Sequence, residues 1–305
     1  APETLSRPIT VTGGYIKGGA NYRAKDNSNF FFNVGQIMRP PSFDGVFPNA
    51  DYDAEEADEI LNESFTSFEL GYGFRSSNFK GTINAYHTVW GDRTLRRSTS
   101  IDDQGVRIIY SGVEQTHQGI EAEMTWYPSN RLRVRGMASL GNWKYSKNFT
   151  GDAYFIDNNQ SAGKTGTLYL DGVKIGDAAQ TVLYLGLDYK LSSRLSVDVD
   201  MMSFDDLHGR FGPLDSEFNS ANNRGSIKLP SWGTTDLGAT YKFSLLGYET
   251  RARLNVNNLF DEEYLSQSQT NFHNEGGRAW NGVNVENLVY FGKGTTWNLG
   301  LNINF

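Results

Sequence analysis

Four arginines, Arg93, Arg96, Arg97 and Arg107, crowd a single polar stretch of the chain. Cations so spaced can attract an anion, for instance a metal chelate of negative charge. They can equally neutralise a carboxylate run, and such a run exists. Asp51, Asp53, Glu55, Glu56, Asp58, Glu59 and Glu63 follow one another with no Lys or Arg between them. Oxygen-rich loops can hold calcium, which makes Asp51, Asp53 and Glu55 a candidate metal loop. EF-hand spacing and its turn glycine are missing, so a solvated acidic loop that pairs with the arginines is the plainer expectation. Aromatic rings stand in other polar stretches: Phe43, Phe47, Tyr154, Phe155, Phe211, Phe272 and Trp280. Such rings either stack on a ligand or pack loop against loop.

Covalent chemistry has little support. The four histidines, His87, His117, His208 and His273, form no HExxH or paired spacing. Ser161-Ala162-Gly163-Lys164-Thr165 looks like part of a phosphate loop, but Asn158 stands where that motif needs its first glycine. No GxSxG elbow occurs. Zero cysteines remove disulfides, thiolate metal sites and thiol nucleophiles. A hydrolase would need a Ser/Asp/His set assembled by the fold, with His208 or His273 in it. No catalytic residue and no cofactor is expected.

These residues must be positioned by something, and the candidate is a sheet. The chain has 305 residues with 28 Lys+Arg against 35 Asp+Glu, a net charge of −7 that argues against a nucleic-acid partner. No apolar run is long enough for a transmembrane helix. Gly is abundant at 33 and Pro scarce at 8. The helical period is nearly absent, apart from an acidic run over 54–61. Period two recurs instead. Leu183, Leu185, Leu187, Tyr189 and Leu191 share one face against Tyr184, Gly186, Asp188 and Lys190. Similar alternation runs through 120–126, 131–140, 195–201, 236–243, 251–257 and 296–305, and less cleanly through 11–24, 29–38, 63–75 and 79–94. This gives about eleven strands, several longer than the ~5–6 residues common in soluble sheets and long enough to cross a bilayer at a tilt.

Connection lengths alternate as well. Short turns are expected at 26–28, 76–78, 128–130, 192–193 and 244–248. Long polar loops are expected at 39–62, 95–114, 147–178, 208–230 and 265–294. Segregated short turns and long loops are what membrane barrels show. Charges inside the strands (Asp188, Lys190, Asp198, Asp200, Arg251, Arg253) need a hydrated lumen, because a dry interior would not tolerate them. The apolar face then meets lipid, with Trp126, Tyr127, Tyr189, Tyr241 and Phe243 as an interfacial girdle. With short turns on the periplasmic side, eleven strands would leave the two chain ends on opposite sides of the membrane. Single-chain bacterial barrels have even strand numbers, so further strands are expected upstream of Ala1.

Several segments resemble a known family. Arg253-Leu254-Asn255-Val256-Asn257-Asn258-Leu259-Phe260-Asp261-Glu262-Glu263-Tyr264 resembles the NLFD-x-x-Y strand of TonB-dependent outer-membrane receptors. Trp297 to Phe305 is similar to their terminal strand, Thr116 to Glu123 to their h-x-G-x-E-x-E strand, and Met38-Arg39-Pro40-Pro41-Ser42-Phe43 to their R-x-P-x-F loop start. The order agrees along almost the whole chain, and the wording looks most like receptors of the Bacteroidetes. The resemblance implies an all-β transmembrane antiparallel barrel, of which residues 1–305 are the C-terminal half of 22 strands, with the plug domain outside this sequence. It implies TonB-dependent uptake of a scarce nutrient, a ferric siderophore being the first expectation, across the outer membrane of a Gram-negative bacterium. Implied partners are outer-membrane lipid, TonB through the missing N-terminal region, and the barrel assembly machinery, which would read Phe305 as its signal; a surface lipoprotein is a further expectation. Under this reading Arg93, Arg96, Arg97, Phe155, Phe211, Phe272 and Trp280 are ligand-contact candidates. Two rivals make different predictions. A barrel hydrolase needs the Ser/Asp/His set, and a surface glycan-binding β-protein needs a second sheet over Leu183, Leu185, Leu187, Leu299 and Leu301.

Overall fold

The structure, a computed structural model, describes residues 9–41, 43–47, 60–101, 103–157, 160–212 and 215–304. The strands are β1 (Gly14–Lys25), β2 (Ser28–Arg39), β3 (Glu63–Arg75), β4 (Phe79–Ile101), β5 (Gln104–Ser129), β6 (Leu132–Tyr145), β7 (Phe149–Phe155), β8 (Ser161–Leu168), β9 (Thr181–Lys190), β10 (Leu195–Asp205), β11 (Trp232–Leu245), β12 (Tyr248–Asn257), β13 (Leu265–Ser268), β14 (Ala279–Trp280), β15 (Val283–Asn284), β16 (Val289–Phe291) and β17 (Thr296–Asn304). A four-residue helix, Phe43–Val46, and one 3-10 turn, Ser216–Asn219, are the helical pieces among the described residues. Neither is long and apolar enough to cross a membrane.

One sheet of 13 strands dominates. Its path is the antiparallel meander β1-β2-β3-β4-β5-β6-β9-β10-β11-β12-β17, with β7 and β8 attached to the side of β5. The path strands are the eleven that alternation predicts, and the sheet is open among the described residues, with β1 and β17 at its ends.

Register aligns the apolar positions into continuous rows. Phe32, Leu70, Ala85, Ile120 and Leu140 sit side by side across β2 to β6. Leu187, Val199, Leu237, Val256 and Trp297 do the same across β9 to β17. Nothing covers this face among the described residues: Leu183 is 46% exposed, Leu299 67% and Leu301 58%. The second sheet that the soluble rival requires is absent there. An uncovered apolar band of this extent suits hydrocarbon, not water.

The opposite face is ionic. The Arg133 guanidinium donates to Asp188 at 3.0 and 2.8 Å, and Arg135 donates to Asp188 at 3.0 Å and Asp200 at 2.8 Å. Tyr184 donates its hydroxyl to Asp200 at 2.5 Å, and Arg253 grips Asp198 at 2.5 and 2.8 Å. Arg133 and Arg135 reach Asp188 on the adjacent β9, Arg135–Asp200 and Arg253–Asp198 each span one intervening strand, and all stay partly wet, so the desolvation cost that makes a dry ion pair unfavourable is small. A glycine on this face also makes room for a neighbour's side chain. A side chain at Gly71 would collide with the Phe31 ring lying across it from the neighbouring strand.

The buried core lies in the long-loop end, not between sheets. The stretch 95–114, expected as a loop, is instead a continuation of the β4–β5 hairpin, whose strands run 23 and 26 residues. Its alternation is masked by Arg96, Arg97 and Arg107, and the register breaks between Trp90 and Leu95. Asp92 at φ 57° and Gly112 at φ 69° form the bulges there, and bulges of this kind bend a ladder and re-aim its side chains. The stretch 147–178 likewise contains the β7–β8 hairpin, which pairs with β5. Val106, Ile108, Tyr110, Val113, Phe149, Ala153, Leu168, Leu170, Val173 and Phe218 close a core between them. A smaller core of Leu207, Ile227, Leu229, Leu265 and Val283 joins 208–230 to 265–294. The acidic run at 51–59 lies outside the described residues, as does Phe305.

The NLFD-x-x-Y segment is a lock between β12 and β17. Asn258 holds φ 49°, a conformation Asn tolerates better than most residues. Its amide donates to the Glu262 carbonyl at 3.0 Å and the Lys293 carbonyl at 3.1 Å and accepts from the Glu262 N–H at 2.9 Å. Asp261 accepts from the Thr295 N–H at 2.8 Å. Tyr264 stacks on Trp232 with ring centroids 3.7 Å apart, and Trp232 stacks on Phe204 at 4.0 Å.

Candidate ligand-binding site

Counting residues upward from the short turns, the polar face changes character near the long-loop rim. Ile37, Phe65, Trp90, Gln115 and Tyr145 form one row across β2 to β6. Phe65 and Trp90 stack at 4.9 Å. Glu63 accepts from the Trp90 indole at 3.2 Å and pairs with Arg39. Just beyond Trp90 the ladder bulges, and Arg93 lies over the Trp90 ring, 3.8 Å from its centroid. This is cation–π distance, and it fixes the guanidinium plane without using up its outer donors.

A cavity of about 470 Å³ opens here. Trp90, Arg93, Gln115, His117 and Tyr145 supply its strand side, and Asp177, Arg210, Phe211 and Gln269 its loop side. Phe211 packs on Phe218 at 4.1 Å and on Tyr145 at 5.7 Å. Arg210 approaches Asp177 only to 3.8 Å, and Asp177 also accepts from Gln267 at 2.8 Å. The lining therefore carries two guanidiniums, Arg93 and Arg210, and one carboxylate, Asp177. His117 stacks beside Trp143, and its Nε2 is buried without a hydrogen-bond partner. The arrangement can hold an anion that carries an aromatic or planar surface.

The expected contact residues divide. Arg93 and Phe211 line the cavity. Arg96 sits further along β4 opposite Ile109, and Arg97 opposite Ile108. Phe155 ends β7 and packs against the larger core. Trp280 packs against the smaller core and meets Phe291 edge-on at 5.2 Å. Phe272 is exposed at the surface of the 265–294 segment, away from the cavity lining. Asp51, Asp53 and Glu55, the calcium candidates, lie outside the described residues, and no group of metal-ligating side chains occurs among those described. Trp90, Gln115, His117, Tyr145 and Arg210 are cavity residues that spacing did not single out. The signal available was parity: Trp90, Gln115 and Tyr145 all fall on the polar face of their strands.

The fold does bring a Ser/Asp/His set together beside this site. His208 Nε2 lies 3.1 Å from Asp206 and Nδ1 3.2 Å from the Ser226 hydroxyl. The hydroxyl, however, donates to the Lys174 carbonyl at 2.9 Å, and Lys174 pairs with Asp206 at 3.0 Å. Ser226 and His208 are each 8% exposed. Burial alone would raise the Asp206 pKa, but the Lys174 ammonium and His208 outweigh it and hold the carboxyl below its usual range. A nucleophile needs its proton facing the base and its oxygen open to substrate. This set has neither, and it works as a crosslink among the 174–180, 206–208 and 226–228 segments. Further out, Arg224 binds Glu217 at 2.7 Å and also pairs with Glu275, and its hydrogen bond pulls the Glu217 carboxyl down to about 2.

Comparisons with known proteins bear on the whole sheet. Residues 13–259 match the family described as TonB dependent receptor-like, beta-barrel. No curated protein sequence matches the chain. Among solved structures, the siderophore receptor PiuA from Acinetobacter baumannii superposes with a TM-score of 0.64 at 15% identity over 94% of this chain and 35% of its own. The ferric-catecholate import receptor Fiu from K12 E. coli gives 0.61 at 15% over 95% and 34%, and the copper transporter OprC 0.60 at 13% over 96% and 39%. The chain thus spans between about a third and two fifths of these structures.

Proposed function

The chain belongs to the TonB-dependent receptor-like β-barrel family, and from that premise we propose that it is the C-terminal part of an outer-membrane receptor that imports an anionic metal chelate, a ferric siderophore being the leading candidate. Barrels of this family are outer-membrane proteins of Gram-negative bacteria and work with TonB. Completion of the barrel by strands outside this chain, and contact with TonB through a segment outside it, belong to the same proposal. So do recognition of Phe305 by the assembly machinery and capping by a surface lipoprotein.

The observation that carries the ligand reading is the convergence of Arg93 and Arg210 with Trp90, Tyr145 and Phe211 around one cavity at the long-loop rim. Guanidiniums recognise carboxylate and catecholate oxygens, and the rings offer a stacking surface. Receptors for siderophores and for copper both stand among the structural neighbours, so the fold alone does not choose the cargo. No step here makes or breaks a covalent bond.

The test is binding by the purified full-length receptor, followed by tryptophan fluorescence. Ferric tris-catecholate and ferric citrate serve as anionic probes and a neutral ferric hydroxamate as control. Arg93→Ala with Arg210→Ala is expected to weaken the anionic chelates by tenfold or more, about 1.4 kcal/mol, and to leave the neutral one unchanged. Equal loss for charged and neutral chelates, or no loss for either, would refute the charge reading.

A further inference from the structure

The buried His208 ring in the long-loop rim is surrounded by groups that accept hydrogen bonds. Nε2 lies 3.1 Å from Asp206 Oδ1. Nδ1 lies 3.2 Å from the Ser226 carbonyl and 3.2 Å from the Ser226 hydroxyl oxygen. The proton of that hydroxyl goes to the Lys174 carbonyl at 2.9 Å, so the oxygen turns a lone pair to the ring. A carboxylate and a carbonyl can only accept, and an imidazole donates from both nitrogens only when it is charged. The full set of hydrogen bonds therefore belongs to the imidazolium. Asp206 serves two cations, one on each oxygen: His208 on Oδ1 and the Lys174 ammonium on Oδ2 at 3.0 Å. Lys228, across a backbone bridge from His208, is held by Asp205 at 2.9 Å. His273 stands in the next segment, its Nε2 3.0 Å from the Gly225 carbonyl.

The ring sits where the loop wall of the cavity is anchored. Arg210 and Phe211, both lining residues, follow His208 by two and three positions. The His208 carbonyl accepts from the N–H of Asp177, a third lining residue, at 3.3 Å. Gly176 and Gly209 let the two backbones meet there: a Cβ on Gly176 would stand 2.6 Å from the Gly209 carbonyl oxygen. The Gly209 N–H in turn donates to the Ile227 carbonyl at 2.8 Å. Loss of the Nδ1 proton undoes this arrangement at its centre. The neutral ring accepts at Nδ1, which draws the Ser226 hydroxyl proton away from the Lys174 carbonyl and sets a lone pair against the Ser226 carbonyl. The segment that carries Asp177 then loses its tie to Ser226, and the segment that carries Arg210 loses its anchor. Histidine is the side chain whose charge changes between about pH 5 and 8.

We propose that charged His208 is a positioning residue for the cavity, setting Arg210 and Asp177 in place so that anionic chelates bind more tightly in mildly acidic than in alkaline surroundings; this rests on the reading of the cavity as the ligand site. The sign follows from the contacts. They favour the charged ring, so the support is present at low pH and is lost as pH rises through the histidine range. His117 is a second histidine on the cavity wall, and the experiment separates the two.

Ferric tris-catecholate is titrated into the full-length receptor between about pH 5 and 8, with tryptophan fluorescence as the signal, for the parent, His208→Gln, Asp206→Asn and His117→Gln. The ratio of parent to variant affinity at each pH removes any change in the probe itself. For His208→Gln the expected ratio is about fivefold at the acid end, the equilibrium worth of one hydrogen bond, and falls toward unity at the alkaline end. Asp206→Asn takes away the counter-charge and should move the midpoint of the parent's profile to lower pH, a shift that a merely structural role does not produce. His117→Gln should keep the midpoint. A ratio independent of pH for His208→Gln, an unmoved midpoint for Asp206→Asn, or a midpoint that follows His117 would overturn the assignment. Hydrogen exchange of backbone 174–177 and 206–211 in the ligand-free receptor reads the crosslink apart from binding: protection in the parent should fall with rising pH beyond the intrinsic change, and His208→Gln should lack it throughout. If exchange responds in this way but Arg93→Ala with Arg210→Ala leaves chelate binding unchanged, the ligand-site reading fails and the coupling with it. If those arginines matter and exchange ignores His208, the positioning role alone fails.

Discussion

Replacing Asn258 should unlatch β12 from β17. The side chain is 5% exposed and makes three hydrogen bonds, two given and one received. Its partners at Glu262 and Lys293 belong to exposed residues, so water can reach them once the amide is gone. That sets the loss near the lower end, ~1 kcal/mol for each bond, or about 3 kcal/mol in total. Backbone conformation adds a second effect. At φ 49° an alanine suffers the left-handed penalty of about 1–2 kcal/mol. A glycine avoids it, although its looser unfolded chain returns part of the gain. The expected order is therefore Asn258→Ala worst and Asn258→Gly milder by about 1 kcal/mol. Urea unfolding of the full-length receptor in detergent, read by tryptophan fluorescence, measures the series, and Trp232 and Trp297 flank the lock as reporters. An Asn258→Ala protein within ~0.5 kcal/mol of the parent would refute the hydrogen-bond account. A glycine variant no better than the alanine variant would refute the conformational one.

Leu185→Arg, on the lipid-facing rows of β9, is expected to cost about 2–4 kcal/mol of membrane folding stability if it sits near the midplane; refolding into lipid vesicles measures it, and a neutral outcome would mean this face meets water. Gly71→Val should cost about 1–3 kcal/mol by displacing the Phe31 ring, and a Phe31→Ala background should relieve much of that cost. Acid should loosen the long-loop rim at Glu217. The Arg224 hydrogen bond lowers that carboxyl from 4.5 to about 2, so its stabilisation is complete above 4.5 and is lost as pH falls toward 2. Limited proteolysis of the rim across that range should show rising cleavage, and Glu217→Gln should flatten the pH dependence.

The strands of the meander were legible because their physics is one-dimensional. A sheet that faces lipid on one side and a wet lumen on the other writes its orientation into every second residue. Hence Leu183 to Leu191, Leu195 to Met201 and Trp297 to Ile303 declared their faces without any knowledge of neighbours, and the short turns fell where Ser and Asn clusters predicted. The NLFD-x-x-Y likeness was equally visible, although its cause, the Asn258 lock and the Tyr264 stack, was not.

The long-loop end obeyed other rules. Between 95 and 114 the strands of the β4–β5 hairpin continue, and one face of the extension packs on β7, β8 and Phe218. The interspersed arginines obscured that alternation and suggested a loop. Which arginine faces the cavity depends on the bulges at Asp92 and Gly112 that shift the register. Arg93 was thus turned onto Trp90, while Arg96 and Arg97 were carried further along the hairpin. Phe155 and Trp280 went to packing and Phe211 to the cavity wall, a choice set by which loops meet. The sequence by itself determined the sheet, its two faces and its two rims, because local alternation and turn chemistry suffice for those. The cavity with its two guanidiniums and the buried Asp206–His208–Ser226 crosslink were decided only in three dimensions, because each joins residues from strands or loops that the chain keeps far apart.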